Sequence, residues 1–169
     1  MVAPLEGQMI RSIWRIVRDA DDADDALQQA LEVIWKKRKR IENHPNPRAL
    51  VLKICINASY DVLRKSIRIR RHEALDALES EAPDPAPGAV SSLEGKEQRA
   101  EILRAIASLP RNQAQAALLR IVQEQPYQAV AAALGCSEAT ARTHVKRARA
   151  RLSRILAHLL PQSAREVES

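Results

Sequence analysis

The sequence predicts an all-α protein of two small helical domains joined by a flexible linker, the second domain being a helix-turn-helix. The first observation is that aromatic residues make up 2% of the 169-residue chain, with no Phe, while Ala and Leu dominate the apolar set. Strands are enriched in aromatic and β-branched residues, so this mixture favours helix. The second observation is a hydrophobic content of 46%, which is enough for packed cores. The third is an acidic, proline-rich segment between two stretches of helical periodicity.

The N-terminal domain, residues 1–81, is predicted to contain three helices. They cover about residues 5–18, 22–40 and 48–71. The first helix places Ile10, Ile13, Trp14 and Val17 on one face. Pro45 and Pro47 separate the second helix from the third, because proline cannot continue a helix from its interior.

The third helix has apolar residues around most of its circumference, which predicts burial on several sides. One polar line remains at helical spacing: Lys53, Asn57, Asp61, Arg64, Arg68 and Arg71. The line can be a network within the helix, since Asp61 is spaced to pair with Arg64 or Lys65. It can also face DNA, and we favour that interpretation for its three arginines.

The predicted linker covers residues 82–96. Pro83, Pro85 and Pro87 follow one another closely there among acidic side chains, and no helical periodicity is sustained. Such a composition is typical of a connection between two folded domains. The C-terminal domain then covers residues 97–169.

The C-terminal domain begins with predicted helices at about residues 97–109 and 112–123, separated by Pro110. A further helix ends at Gly135, a residue that suits the left-handed conformation after a helix. Ser137 can cap the helix that follows. Two short helices joined through a glycine turn form a helix-turn-helix.

The last helix combines a cationic surface with an apolar stripe. Its apolar residues recur at Ala141, Val145, Ala148, Leu152, Ile155 and Leu159. Its cations and neighbouring polar residues lie on other faces: Arg142, Thr143, Lys146, Arg147, Arg149, Arg151 and Arg154. A helix anchored on one side and cationic on the other suits a DNA groove, where phosphates provide affinity and arginine–guanine contacts provide sequence preference. A solvated face of a helical bundle is the alternative, but turn, cap and basic face together favour DNA binding.

Charge and motif content limit the class of function. The net charge of +6 and the pI of about 9.7 suggest a polyanionic partner. No apolar run is long enough for a membrane span and no secretory leader is apparent, so we expect a cytoplasmic protein without membrane insertion. Cys55 and Cys136 are interpreted as small apolar residues, and no histidine has partners at ligand spacing, so neither a metal nor another cofactor is expected. No catalytic motif is recognised, which makes an enzyme the poorest candidate.

Motifs in both halves resemble those of the extracytoplasmic-function (ECF) sigma factors. The family's fourth conserved region is matched at Leu109, Pro110, Gln113, Gly135, Ser137, Thr140, Arg147, Ala148 and Arg149. Its second conserved region is matched at Asp24, Asp25, Gln28, Trp35 and Lys36, and in the third helix at Ile54, Asn57, Asp61 and Arg64. The resemblance covers nearly the whole chain, and the two regions occur in the family order.

The resemblance implies a transcription initiation factor that binds RNA polymerase core, through its clamp helices and flap, and directs it to promoter DNA. The second region would melt the minus-ten element, the fourth would recognise the minus-thirty-five element, and an anti-sigma factor is the expected regulatory partner. Polymerase contacts are expected at Asp24, Asp25 and Gln28. DNA contacts are expected at Ser137, Thr140, Arg142, Thr143, Lys146, Arg147, Arg149, Asn57, Arg64, Arg68 and Arg71.

Some of these residues also have structural interpretations. Asp24 and Asp25 could cap the second helix and favour its positive end. Trp35 is expected in the core or in an interface rather than under a stacked base. The loop around His44 corresponds to the family segment that captures a flipped base, although a solvent-exposed loop histidine is the commoner case.

Two other functions are compatible with the residues. A stand-alone helix-turn-helix regulator would bind a specific duplex without polymerase. An adaptor that binds protein would show no salt-sensitive affinity for DNA. A sigma factor would bind DNA weakly alone and strongly as part of the holoenzyme.

Overall fold

A computed structural model of the chain describes the backbone of residues 3–79 and 90–159. It describes the side chains of residues 4–77 and 93–159. These ranges contain eight α-helices and no β-strand, which confirms the predicted all-α class. We refer to residues 3–79 as the N-terminal half and to residues 90–159 as the C-terminal half. Within the two halves, no helix combines the length and the apolar character that crossing a membrane requires.

The N-terminal half consists of α1 (Glu6–Ile16), α2 (Ala20–Lys36), α3 (Arg38–Glu42) and α4 (Pro47–Glu79). α1 ends earlier than predicted because Arg18 takes a left-handed backbone conformation, with φ of 55°, that an α-helix cannot continue. The cap of α2 is Asp19, whose carboxylate accepts a hydrogen bond from the Asp22 amide at 3.1 Å. The expected capping role of Asp24 and Asp25 is therefore wrong.

The second predicted helix is divided, because the chain turns at Lys37 and α3 follows as a separate short helix. Pro47 opens α4 at a position where the missing amide proton would have had no partner within the helix. α4 then continues to Glu79, beyond the predicted end at residue 71. Its middle is buried on several sides, with Cys55 and Ile56 inaccessible to solvent, as the wide apolar stripe predicted.

The C-terminal half consists of α5 (Val90–Ala107), α6 (Arg111–Ala117), a π-helical segment (Leu118–Val122), α7 (Tyr127–Leu134) and α8 (Glu138–Ile155). α5 begins inside the predicted linker, so residues 90–96 are helical rather than a flexible connection. The rest of the predicted linker, residues 82–89, lies outside the described residues. The predicted helix over 112–123 is divided because its second part winds more widely, with the Gln123 amide donating to the Leu118 carbonyl five residues back.

The helix-turn-helix has the predicted local geometry. Gly135 ends α7 with φ of 68°, the left-handed conformation that glycine adopts without strain. Ser137 caps α8, and its hydroxyl accepts a hydrogen bond from the Thr140 amide at 3.1 Å. Ala131, in the middle of α7, is buried, so the axes of α7 and α8 can approach closely.

The two halves share a hydrophobic core. One buried cluster combines residues of α1, α2 and α4 with residues of α6, the π-helical segment, α7 and α8. A smaller cluster surrounds Tyr60 of α4, which packs with Leu109, Ala114, Ala117 and Ala148 of the C-terminal half. α4 is therefore the helix of the N-terminal half that packs on the C-terminal half, and part of its polar line faces α6.

Candidate nucleic-acid interface

The apolar stripe of α8 anchors the helix on the C-terminal half. Ala141, Val145 and Ala148 are fully buried, and Leu152 is partly buried. Ile155 departs from the prediction, since 44% of it is exposed. The stripe is therefore anchored over its first three turns, which fixes the orientation of the remaining surface of the helix.

Arg142, Lys146 and Arg149 are exposed along one flank of α8. The Arg142 guanidinium lies over the Tyr127 ring, 4.2 Å from its centroid, and 3.7 Å from the Glu138 carboxylate. A cation over an aromatic face is attracted by the ring's quadrupole, so Tyr127 restricts where this arginine points. The contact between Tyr127 and Arg142 was not predicted from the sequence.

The amino-terminal turn of α8 is held by hydroxyl contacts. The Ser137 and Thr140 hydroxyl oxygens lie 2.9 Å apart, and the Thr143 hydroxyl donates to the Ala139 carbonyl at 3.0 Å. All three hydroxyl residues are exposed, and so is Arg147 on the other flank of the helix. The predicted DNA-contact residues of α8 therefore share one solvent-facing surface.

The polar line of α4 is divided into a part that bonds to α6 and a part that faces solvent. Asn57 is half-buried, and its side-chain oxygen accepts a hydrogen bond from the Gln115 amide of α6. Asp61 forms an ion pair with Arg111, at 2.6 Å, so the expected pairing within the helix with Arg64 or Lys65 is wrong. The hydrogen bond that Arg111 donates to Asp61 raises the pKa of the Arg111 guanidinium.

Arg64, Arg68 and Arg71 are exposed farther along the same line. The Arg64 guanidinium lies 5.6 Å from the centroid of the Tyr60 ring. These three cations remain available to an anion, whereas Asn57 and Asp61 have partners in the C-terminal half.

A cavity of about 280 Å³ opens beside this line, between α2, α3 and α4. Lys37, Arg40 and Lys53 line it together with Asn57. Burial lowers the pKa of Lys53, and the neighbouring Arg40 and Lys37 charges lower it further. Crowded cations of this kind favour an anionic ligand, because its charge relieves their mutual repulsion. The basic run at residues 36–40 was visible in the sequence, but its approach to Lys53 depends on the fold.

His44 is placed differently from both earlier interpretations. Its Nε2 lies 3.0 Å from the Ala132 carbonyl oxygen of α7, and its Nδ1 accepts a hydrogen bond from the Asn46 amide. A ring nitrogen that accepts is unprotonated, so the proton lies on Nε2 and is donated to Ala132. The ring is half-buried against the C-terminal half, and it is neither a free loop residue nor open to a base.

An exposed ridge runs along α2 on the side away from the core. Asp24, Gln28, Leu31 and Trp35 follow one another at helical spacing, and all are exposed. Trp35 is 70% exposed and Leu31 is 43% exposed. Of the two positions expected for Trp35, the core is therefore wrong and the interface stays a prediction. Arg38 lies over the Trp35 ring at 4.9 Å and donates to the Trp35 carbonyl. Large apolar side chains between charged ones at a surface are typical of a protein-binding face.

Across the described ranges, histidine, cysteine and acidic side chains do not gather into a group that could hold a metal ion.

Two family descriptions match the chain. Residues 1–69 match "Sigma-70 region 2", and residues 99–152 match "Sigma-70, region 4". The exposed face of α8 and the turn before it fall in the second match. The α2 ridge and the polar line of α4 as far as Arg68 fall in the first.

Three curated proteins are similar over most of the chain. "ECF RNA polymerase sigma factor EcfG" of Rhodopseudomonas palustris is 33% identical, covering 82% of this chain and 73% of the relative. "Probable RNA polymerase sigma factor RfaY" of Xanthomonas campestris pv. campestris is 31% identical over 80% of this chain, which spans 34% of that protein's length. "RNA polymerase sigma factor HrpL" of Pseudomonas syringae pv. syringae is 26% identical, and the match covers 86% of this chain and 79% of that protein.

A solved structure has a similar fold. The sigma factor RpoE of Bartonella quintana, crystallised in complex with the anti-sigma factor NepR, matches with a TM-score of 0.53 and 25% identity. The match covers 92% of this chain and 94% of that chain, so it includes both halves.

Proposed function

The chain belongs to the ECF sigma factors of the sigma-70 family, and from that membership we propose that it binds RNA polymerase core and directs it to specific promoters. The observation that carries the proposal is the α8 surface. Three cations lie on one exposed flank of a helix whose apolar stripe is buried, and the helix directly follows a capped turn. This is the arrangement with which helix-turn-helix proteins enter the major groove.

In this proposal each half binds a different promoter element. α8 recognises the upstream, minus-thirty-five element through Arg142 and its neighbours. The N-terminal half binds the unpaired downstream, minus-ten element through Asn57 and the arginines of α4. The cationic cavity between α2 and α4 would hold an anionic group of that strand, since Lys37, Arg40 and Lys53 converge on it.

The α2 ridge is the proposed contact with the polymerase clamp helices. Asp24, Asp25 and Gln28 supply the polar part of that contact, as the family resemblance implies. Leu31 and Trp35 extend it with exposed apolar surface. Aromatic residues often contribute most of the affinity at protein interfaces, so Trp35 is the strongest candidate on the ridge.

An anti-sigma factor is the proposed regulatory partner. The support is the similar RpoE chain, which was crystallised with its anti-sigma factor NepR, together with a match that spans both halves.

Transcription with purified components tests the function. Fragmented bacterial genomic DNA is transcribed by core polymerase with and without the full chain, and the RNA 5′ ends are mapped by sequencing. We expect a set of start sites that depends on the chain and shares two upstream sequence elements. A variant with Arg142→Ala and Lys146→Ala should lose most of these start sites while it retains core binding. Specific duplex binding by the chain alone, without any chain-dependent start site, would favour a stand-alone regulator.

A further inference from the structure

Tyr127, the first residue of α7, lies beside two arginines from different elements. The Arg120 guanidinium, from the π-helical segment, is 4.9 Å from the centroid of the Tyr127 ring. The Arg142 guanidinium, from α8, is 4.2 Å from the same centroid. The electron-rich face of an aromatic ring attracts cations, so one ring restrains both arginine side chains. Both contacts use the ring of Tyr127 rather than its hydroxyl.

The turn before α7 fixes the position of the Tyr127 ring. Glu124 has a left-handed backbone conformation, with φ of 52°, which residues other than glycine seldom adopt unless their surroundings hold them there. The Gln125 amide donates to the Leu119 carbonyl at 3.0 Å, and the Gln125 side chain donates to the Gln123 carbonyl at 2.9 Å. These bonds determine where α7 begins. The Tyr127 ring is itself half-buried and packs against the core.

The π-helical segment holds Arg120 against the same turn. The Arg120 guanidinium donates to the Gln125 carbonyl at 3.1 Å, and the side chain is half-buried. Arg120 is therefore held both by the backbone of the turn and by the ring of Tyr127. Turns of π-helix are rare and frequently occur at functional sites. The surface that this segment and its turn support is the flank of α8 that carries Arg142.

Arg142 has two restraints, and they differ in firmness. The Glu138 carboxylate lies 3.7 Å from its guanidinium, and the Arg142 and Glu138 side chains are 59% and 51% exposed. An ion pair so open to solvent holds its side chains weakly. The Tyr127 ring is half-buried on a bonded turn, so it is the fixed surface against which the Arg142 guanidinium lies.

We infer that Tyr127 is a positioning residue for promoter recognition, which orders Arg142 in the free chain for its contact in the DNA groove. The inference rests on the proposed function, because that function assigns Arg142 to the upstream element. Ordering a long side chain on binding costs conformational entropy, and a side chain that is already ordered avoids part of that cost. A bidentate base contact requires one guanidinium geometry, whereas a phosphate contact carries no sequence information. The gain therefore falls on the specific sequence.

The test uses substitutions of Tyr127 in the full chain. Tyr127→Leu removes the ring and keeps a large apolar side chain against the core. Tyr127→Phe keeps the ring and removes only the hydroxyl, so it is the matched control. Each substitution is also combined with Arg142→Ala, which removes the side chain on which Tyr127 is inferred to act. Melting followed by circular dichroism checks that every variant is folded.

The mobility of the Arg142 guanidinium in the free chain, measured by NMR relaxation, reports the restraint directly. We expect higher order in the unmodified chain and in Tyr127→Phe than in Tyr127→Leu. Equal mobility in all three would show that the ring does not restrain Arg142, and it would overturn the inference. This measurement needs no promoter sequence.

Fluorescence anisotropy then compares a duplex that carries the upstream element of a mapped start site with a scrambled duplex. We expect Tyr127→Leu to weaken binding to the upstream element by about two- to tenfold, the cost of ordering one long side chain, and to change binding to the scrambled duplex little. Tyr127→Phe should bind both duplexes as the unmodified chain does. In the Arg142→Ala background, Tyr127→Leu should have no further effect, because substitutions that remove one shared contact are not additive.

Three binding results would contradict the inference. Equal losses on both duplexes for Tyr127→Leu would indicate a general structural role. A similar loss in Tyr127→Phe would indicate that the hydroxyl contacts DNA. A loss that persists in the Arg142→Ala background would show that Tyr127 acts by another route. None of these results bears on promoter-directed transcription by the unmodified chain, which the mapping of start sites measures separately.

Discussion

We propose that Arg142 is the side chain of α8 that contacts base edges. It lies one turn into the helix, and Tyr127 and Glu138 restrict its guanidinium. Recognition helices present their amino-terminal residues to the groove, whereas residues farther along meet phosphates more often. We therefore predict that Arg142→Ala relaxes sequence preference, with a loss of about 1–3 kcal/mol on the specific site if a bidentate contact is removed.

Lys146→Ala and Arg149→Ala should behave differently from Arg142→Ala. They should weaken binding to all sequences alike and lower the salt slope by about one unit for each lost phosphate contact. The measurement is binding of the full chain to the upstream element and to a scrambled duplex over a salt series. Equal losses on both duplexes for Arg142→Ala would reject its assignment to base recognition.

The two cysteines should differ sharply in reactivity. Cys55 is inaccessible to solvent, and burial raises the pKa of its thiol to about 12. Its proton is therefore retained at pH values where an ordinary thiol begins to ionise, and the thiolate is the reactive form. Cys136 is free and partly exposed.

We expect iodoacetamide at about pH 8 to modify Cys136 alone in the folded chain, because the reagent can reach the partly exposed Cys136 but not the buried Cys55. Both residues should react after denaturation. Mass spectrometry of tryptic peptides distinguishes them. As pH rises above the ordinary thiol value of 9.0, the unfolded chain releases this proton before the folded one does, so stability should decline from there toward about pH 12. Native modification of both cysteines at similar rates would contradict the burial of Cys55.

Among the helices, α2 buries small apolar residues and exposes large ones. Its inner face packs on α4 through small residues, Ala23, Ala26 and Ala30, with Ile34. Its outer face carries large apolar residues, Leu31 and Trp35, which folding of the chain leaves exposed. Such an arrangement makes the outer face available to a partner without loss of the core.

Trp35→Ala is predicted to weaken the binding of RNA polymerase core by about 1–2 kcal/mol or more, as loss of an interface aromatic typically does. The melting temperature should change little, because the side chain is 70% exposed in the free chain. Asp24→Ala with Asp25→Ala should weaken core binding as well. Affinity is measured by surface-immobilised core, and melting by circular dichroism.

Trp14→Ala is the control for Trp35→Ala. Trp14 is the other tryptophan of the chain, and it is 43% exposed on α1, outside the ridge. If the two tryptophan variants bound core equally well, the ridge would not be the polymerase contact.

For the molecule as a whole, the connection between the halves is the predicted site of first cleavage. The sequence places Pro83, Pro85 and Pro87 in this connection, and α5 begins at residue 90. We expect a glutamate-specific protease to cut first after Glu81, beside the proline-rich segment of the sequence, because backbone amides within helices are hydrogen-bonded and resist cleavage.

Glu94 and Glu97 provide an internal control with the same protease specificity. Both lie within α5, so cleavage after them should be slower. Mass spectrometry over a time course identifies the order. Cleavage in α5 before cleavage at Glu81 would contradict both the predicted connection and the helical start of α5.

Features that depend on neighbouring residues were predictable from the sequence. Gly135 and Ser137 gave the turn and cap of the helix-turn-helix, because their conformational and hydrogen-bonding preferences act within three residues. The stripe of α8 was predicted as far as Leu152 for a similar reason, since a helical period fixes which side chains share a face. The family motifs added the two regions, and the matched residues of both lie in the described helices or in the turns between them.

The partners of the polar residues were decided only by the tertiary structure. Asp61 is spaced for Arg64 within its own helix, yet it pairs with Arg111, 50 residues away. Trp35 has a large apolar side chain of the kind usually found in a core. The inner face of α2 is nevertheless formed mainly by alanines, and Trp35 lies on the solvent-exposed face of the helix. Helical period and capping act locally, and they therefore determined the elements and the α8 surface. The packing of α4 against α6 depends on side chains far apart in sequence, and that packing alone gives Asn57 and Asp61 their partners, Gln115 and Arg111.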